Sequence, residues 1–522
     1  IMPTLPITIL APIVLLAVAL LAAFRPGRRP GFLPRLSEGA ALAALGLAVA
    51  GLVQLLASGP ALAVLAEGPL ALLFRLDTLG ATMTVLVAFV GWIVMRYSRS
   101  YLDGEAKEGA FHGLMLATLA AVLIVTQAGS LVVLLAAFIA VGIGLRHLLL
   151  FFNERAAARR AAVKFALVWH AGDVALALAA VLLVVAFGTG DIAAITAAAA
   201  TGEALPLAAQ VAVVLLVLTA ALKTAAFPLH GWLTEVMEAP TPVSALLHAG
   251  IINAGGFLLI RMADLVQASP GAMAALVMIG GLTGLFGAVV MLTQSAVKTA
   301  LAWSTVSQMG FMLLQCGLGL WALALLHIVA HSLYKAHAFL ASGGAVTAVN
   351  ALRRPGPIAV PDLGAVMKSF GLALALYAVV SVSFMLIAGP KSPQALALGA
   401  MLIFGVAYLV AQGLADAAPA ELTRRTGLAA LAAALTYFAF QQAAHALWGP
   451  ALPAAPVAGP LEWSLIVLTV LSFGLVAFAQ TLFPLWAHHP STAGLRVHLA
   501  NGLYLNALLD RLIGGFRVAK SN

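Results

Sequence analysis

Lys223 lies in the stretch 207–227, which is otherwise almost wholly apolar and long enough to cross a bilayer. A charged side chain at that depth costs about 2.5–3.5 kcal/mol on insertion scales, so its retention points to a function inside the membrane. Pro228 follows five residues later and cannot donate to the helix ladder, so it is expected to break or bend the segment beside the lysine. A titratable amine at an interrupted membrane helix is the pattern of an ion path. A second constellation, His327, His331 and Lys335, stands at four-residue intervals in the apolar run from Leu320 to Val346. That spacing places the three on one helix face, as a ladder rising about 6 Å per step. Histidine suits a proton relay because its imidazole titrates near pH 6.5. The competing reading has the histidines satisfying buried carbonyls while Lys335 reaches for an interface, but three ionisable groups in register favour the relay. The pair His327 and His331 also fits a zinc-binding HxxxH spacing, yet Ile328 stands where a zinc protease needs glutamate.

Further candidates surround these two groups. After Pro228 the chain passes Pro240 and Pro242 and reaches His248, so a proline-rich re-entry is expected to return that imidazole to the broken helix. A plain core histidine is the alternative. Asp173 is the carboxylate that falls inside an apolar span, and Lys223 or His170 would be its cationic partner. Lys298 precedes Trp303, Ser304 and Thr305 and reads either as a channel residue or as a boundary lysine. Lys391, between Pro390 and Pro393, repeats the lysine-near-proline pattern.

The elements that must position these residues are helical spans. With 63% hydrophobic and 9% charged residues over 522 positions, the composition excludes a soluble globular class. About fifteen mostly apolar segments approach the roughly 20 residues a helix needs to cross a bilayer. The expected fold is therefore all-α, a single polytopic membrane domain over 1–522. Within it, 1–110 would be N-terminal helices, 111–261 and 272–412 two inverted five-helix repeats with broken helices, 420–490 additional helices and 495–518 an amphipathic C-terminal helix. No basic residue precedes the first apolar segment, while Arg25, Arg28, Arg29 and Arg35 follow it, so it reads as a retained helix with its N-terminus outside. Arg96, Arg99, Arg155, Arg159, Arg353, Arg354, Arg424 and Arg425 then fall in alternate, inside loops. The net charge of +9 is thus mainly a topology signal, and nucleic-acid binding is set aside. A single cysteine, Cys316, excludes a disulfide framework and a cysteine-rich metal site within the chain.

The run from Leu222 and Lys223 through Pro228-Leu229-His230-Gly231-Trp232-Leu233 to Pro240-Thr241-Pro242-Val243-Ser244-Ala245-Leu246-Leu247-His248-Ala249 resembles the core motif of the antiporter-like proton-translocating subunits. That family includes the large membrane-arm subunits of respiratory complex I and the Mrp cation/proton antiporters. Residues 298–310 and 327–343 resemble its second-half motifs, and the likeness covers roughly 70–392. It implies Lys223 as the central lysine of a first half-channel and Lys335, with the histidines before it, as a connecting relay. Lys391 would be the second-half broken-helix lysine, although its flanking prolines differ from the family's. In the fifth span Ile139 stands where the family carries a glutamate that pairs with the first-half lysine.

That departure, the shortness of the chain and its ending soon after His498-Leu499-Ala500-Asn501-Gly502-Leu503-Tyr504 look most like the DabB-type membrane subunits of Dab complexes, which accumulate inorganic carbon. The resemblance implies an energy-coupling subunit that is not itself an enzyme, conducts protons or sodium ions and carries no cofactor. Its partner would be a DabA-like, zinc-containing subunit resembling a β-type carbonic anhydrase. The location would be a bacterial inner membrane, with the N-terminus periplasmic and the C-terminus cytoplasmic. The alternative is a proton-pumping subunit of a complex I-like NADH-quinone oxidoreductase or membrane hydrogenase, powered by electron transfer.

Overall fold

The apolar runs fold as helices because a bilayer leaves no other solution for backbone polar groups in an open chain. The computed structural model describes residues 5–344, 363–413, 419–482, 486 and 489–512; Arg353 and Arg354 lie outside the described residues. Helices α1 (Leu10–Ala23) and α2 (Leu33–Ser58) lead into strands β1 (Ala61–Ala66) and β2 (Leu72–Leu76). There follow α3 (Thr78–Tyr101), α4 (Glu108–Gln127), α5 (Leu131–Leu149), α6 (Ala156–Phe187), α7 (Ile192–Ala199) and α8 (Leu207–Lys223). Short pieces come next: α9 (Gly231–Thr234), α10 (Thr241–Ala249), α11 (Ala254–Arg261) and α12 (Ala263–Gln267). Long helices then resume with α13 (Pro270–Met291), α14 (Val297–Gly317) and α15 (Trp321–Ala341). Beyond them lie α16 (Leu363–Ala388), α17 (Pro393–Gly413), α18 (Pro419–Trp448), α19 (Pro460–Thr481), α20 (Ala493–Ala500) and α21 (Leu505–Leu512).

Among the described residues, 11 helices are long and apolar enough to cross a membrane, counting α10 and α11 as one; Ile7–Ala23, Leu207–Lys223 and Pro393–Ala407 are shorter apolar helices. Polarity is distributed as a membrane protein requires. Leu20, Val181, Val185, Val214 and Leu471 are exposed, whereas Lys164, Lys223 and Lys335 are fully buried. Ionisable groups thus face the protein interior and aliphatic groups the exterior.

Two expectations are corrected. The fold is not purely α: β1 and β2 form an antiparallel hairpin in which Ala61 faces Leu76 and Ala63 faces Phe74. Its register is held from outside the hairpin as well, since Leu73 donates its N–H to Ser130 Oγ at 3.3 Å and Leu73 O accepts from the Gly129 N–H at 2.9 Å. The single amphipathic helix expected over 495–518 is instead split into α20 and α21. Gly502, Leu503 and Tyr504 have φ values of 58°, 53° and 60°, a left-handed turn that no continuous α-helix contains. Gly502 is buried there against Trp303, and a Cβ on it would come 3.3 Å from the indole ring. The turn therefore folds α21 back toward the body of the protein.

Candidate functional site

Lys223 is the last residue of α8, and the chain beyond it leaves the helix: Ala225 has φ 54° and the next helical turn begins only at Gly231. Pro228 lies in that interruption. With the helix ended, the lysine side chain turns into the protein. Its Nζ donates to Asp173 Oδ1 at 2.6 Å and to the Trp169 carbonyl at 3.3 Å, both on α6. The ammonium sits 4.0 Å from the Trp169 ring centroid and 4.7 Å from that of Phe138 on α5, so two aromatic faces share its charge with the carboxylate. Asp173 Oδ2 is bonded in turn to His170 Nδ1 at 2.8 Å. The Asp173 side chain is 6% exposed and that of His170 38%, so the three groups run from a buried amine to the outer face of α6.

The carboxylate that reaches Lys223 is Asp173 of α6, and α5 carries none in its sequence. Ile139 is 37% exposed, whereas its neighbour Phe138 is fully buried against Lys223. The carboxylate comes from α6 and the aromatic lid from α5. Asp173→Asn keeps the shape and one acceptor but removes the charge that holds the ammonium, so it is expected to reduce transport severely while leaving assembly close to normal. Transport at the wild-type rate in purified, assembled Asp173→Asn protein would exclude the carboxylate from the path.

The second group centres on α15. Lys335 Nζ donates to the Leu301 carbonyl of α14 at 3.0 Å. His331 is 4% exposed, and both its ring nitrogens are without a hydrogen-bond partner among the described residues. His327 Nδ1 bonds Gln315 Oε1 at 2.7 Å, and its ring centroid is 6.1 Å from that of His331. His248, fully buried on α10, bonds Thr305 Oγ1 at 3.0 Å and stacks on Phe339 with centroids 4.3 Å apart. Its contacts therefore run to α14 and α15, and the electrostatic reach of Lys335 and His331 includes it. Asn253, in the interruption between α10 and α11, donates to Ser332 Oγ at 2.9 Å and ties the proline-led helix to the ladder. Pro240 caps α10 and Pro242 sits in its first turn, where a missing N–H costs nothing.

Lys298 opens α14 one turn before Leu301, and it is partly buried. Lys391 lies in the link between α16 and α17 beside Pro390, donates to Gln442 Oε1 at 2.7 Å and lines a separate cavity of about 460 Å³ with His445. Burial lowers the Lys391 amine from its ordinary value. The sequence reading passed over a third buried lysine, Lys164. Its Nζ is 2.7 Å from Glu235 Oε2, 2.5 Å from Asp510 Oδ1 and 2.6 Å from Asn506 Oδ1. Helix α6 begins at Ala156, so Lys164 falls well inside the helix, not at its boundary.

Residues 128–356 match the family model for the transmembrane region of NADH:quinone oxidoreductase and Mrp antiporters, and residues 66–112 match that for the N-terminus of NADH-ubiquinone oxidoreductase (complex I) chain 5. The chain is 37% identical to the "Probable inorganic carbon transporter subunit DabB2" of Halothiobacillus neapolitanus, over 85% of this chain and 80% of that one. It is 45% identical to the "Probable inorganic carbon transporter subunit DabB" of Hydrogenovibrio crunogenus, a match spanning 51% of each. A structure of the Mrp complex from Dietzia sp. DQ12-45-1b superposes with a TM-score of 0.66 at 26% identity, covering 97% of this chain and 59% of the other. The two lysine-centred groups are thus set in an antiporter-like helical frame, and the chain belongs to the DabB family of inorganic carbon transporter membrane subunits.

Proposed function

We propose that the chain conducts protons across a bacterial inner membrane and couples that flow to carbon dioxide hydration in a zinc-containing, DabA-like partner subunit. The observation that carries the conduction is the chain of hydrogen bonds from Lys223 through Asp173 to His170: a fully enclosed amine at a helix interruption, held by a carboxylate that is itself held by a titratable, partly exposed ring. Each member can exist in two protonation states, and each is within one hydrogen bond of the next. His248, His331, His327 and Lys335 form the corresponding set between α10, α14 and α15. Lys298 stands at the start of α14, and Lys391 stands at the second lysine-bearing interruption. The two halves, 111–261 and 272–412, then act as repeats around those interruptions. Counting α14 and the three shorter apolar helices as crossings gives fifteen spans. An odd count with the arginine-rich loops inside supports a periplasmic N-terminus and a cytoplasmic C-terminus. The chemistry on carbon dioxide belongs to the partner, and this chain supplies the driving force.

Affinity purification from the native host is expected to bring down one large zinc protein with cysteine and histidine ligands. Labelled inorganic-carbon uptake by cells should collapse with a protonophore and persist, under respiratory inhibition, when a proton gradient is imposed artificially. Iron-sulfur or quinone-linked subunits in the purified complex, or uptake indifferent to the protonophore, would overturn the assignment.

A further inference from the structure

The Lys164 cluster is assembled from three distant parts of the chain. Lys164 comes from α6, Glu235 from the turn after α9, and Asn506 and Asp510 from α21, one helical turn apart. Asn506 also donates to Glu235, so the amide bridges the lysine and its carboxylate. The fit is tight. A Cβ on Gly231 would lie 1.9 Å from Asn506 Oδ1, so a larger residue at the start of the short helix after the Lys223 interruption would push that amide aside. Two carboxylates surround one ammonium, leaving the cluster one negative charge in excess. Glu235 and Asp510 have side chains 30% and 21% exposed, while Lys164 is 1% exposed, so the carboxylates meet the solvent side and the amine the interior.

A second observation points inward from the cluster. His230 is 1% exposed and precedes Gly231, which packs on the same Asn506 that accepts from Lys164, and its Nδ1 is without a hydrogen-bond partner among the described residues. Its ring is 5.0 Å from that of Trp303, on the helix whose Leu301 and Thr305 hold Lys335 and His248. A buried donor-acceptor with a free nitrogen costs free energy unless something visits it.

We propose that Lys164, Glu235 and Asp510 form the proton-loading site at the face of the protein that carries the C-terminal helix, with His230 as the inward acceptor; this rests on the proton-conducting reading above. A proton from water neutralises Asp510 and releases its ion pair with Lys164, while Glu235 stays ionised and keeps its own. The Lys164 ammonium passes a proton by way of intervening water to Nδ1 of His230 and becomes a neutral amine. The carboxylic acid then returns its proton to that amine, restoring the ion pair. The net change is one proton moved from water to His230, with the cluster's charge unchanged. Helix α21 thereby contributes a titrating carboxylate as well as a cover.

The test uses the complete chain with its co-purifying partner, reconstituted in liposomes, with proton flux driven by an imposed gradient. Docking of residues 505–512 is followed by hydrogen–deuterium exchange. Lys164→Arg keeps the charge and its pairing but holds its proton throughout. Asp510→Asn keeps the shape but cannot accept a proton. Positioned proton-transfer groups typically contribute 10²–10⁴-fold, so each variant is expected to keep α21 protected and to lose flux by at least about tenfold. Wild-type flux in either variant, or flux lost only where α21 is released, would overturn the loading role and leave the cluster a docking contact. Lys223→Ala separates the two readings. If the wild-type protein does not conduct, or Lys223→Ala conducts as well as it does, the conduction reading fails, whereas flux that depends on Lys223 but not on Lys164 or Asp510 defeats this inference alone.

Discussion

Lys223→Ala is expected to abolish ion transport, and the companion variant Lys223→Met with Asp173→Leu to restore assembly without restoring transport. The single substitution removes the ammonium from Asp173 Oδ1 and leaves a carboxylate whose side chain is 6% exposed, with only His170 to hold it. Removing one partner of a buried pair costs about 3–5 kcal/mol, because the other charge stays behind without compensation. Lower yield of Lys223→Ala protein is therefore part of the expectation, and it would obscure the reason transport is lost. Replacing both members by apolar groups of similar volume is commonly neutral or stabilising, and here Phe138 and Trp169 already supply an apolar wall for the methionine. If the charge pair is a folding device, the double variant should recover both yield and transport; if it is the conducting element, only yield returns. Monodisperse complex after detergent extraction reports the first quantity, and labelled inorganic-carbon uptake the second. Uptake at the wild-type rate by assembled Lys223→Ala protein would remove the lysine from the path.

Much of this site is visible in the sequence because a membrane makes ionisable residues conspicuous. Lys223 is the lone cation of its apolar run, Asp173 stands out in α6 for the same reason, and the four-residue rhythm of His327, His331 and Lys335 survives as one face of α15. What surrounds them is harder to read, since a span that is apolar on every side carries no periodic signal of which face turns inward. Ile139 and Phe138 illustrate this. The motif drew attention to the isoleucine, yet helix phase, fixed only by packing, presents the phenylalanine to the lysine. Lys164 escaped notice for a different reason: Arg155, Arg159 and Arg160 come just before it in the sequence and make it look like one more boundary cation, and its partners Glu235 and Asp510 are brought near only by the tertiary fold. The hairpin 61–76 and the left-handed turn at Gly502–Tyr504 depend likewise on contacts with α4, α5 and Trp303.

His331→Leu isolates the relay more cleanly than any change at Lys223, because neither nitrogen of this imidazole has a hydrogen-bond partner among the described residues. Removing the ring strands no protein donor or acceptor, and leucine is apolar and of comparable size, so assembly is expected to stay at the wild-type level. The consequence for conduction is large. His327 and Lys335 are eight residues apart on one helix, about 12 Å at about 1.5 Å per residue, and without the middle ring no titratable side chain of α15 spans that distance. Direct transfer across such a gap does not occur, and a leucine side chain offers no group to orient a bridging water. Loss of a positioned proton-transfer group typically costs 10²–10⁴-fold, so uptake of labelled carbon should fall by about 100-fold, with a protonophore producing no further drop. His331→Gln, which can hydrogen-bond water but does not titrate, should fall between the two. Uptake by His331→Leu cells equal to wild type, at equal protein in the membrane, would make the ladder a packing feature of α15 and place conduction elsewhere in the fold.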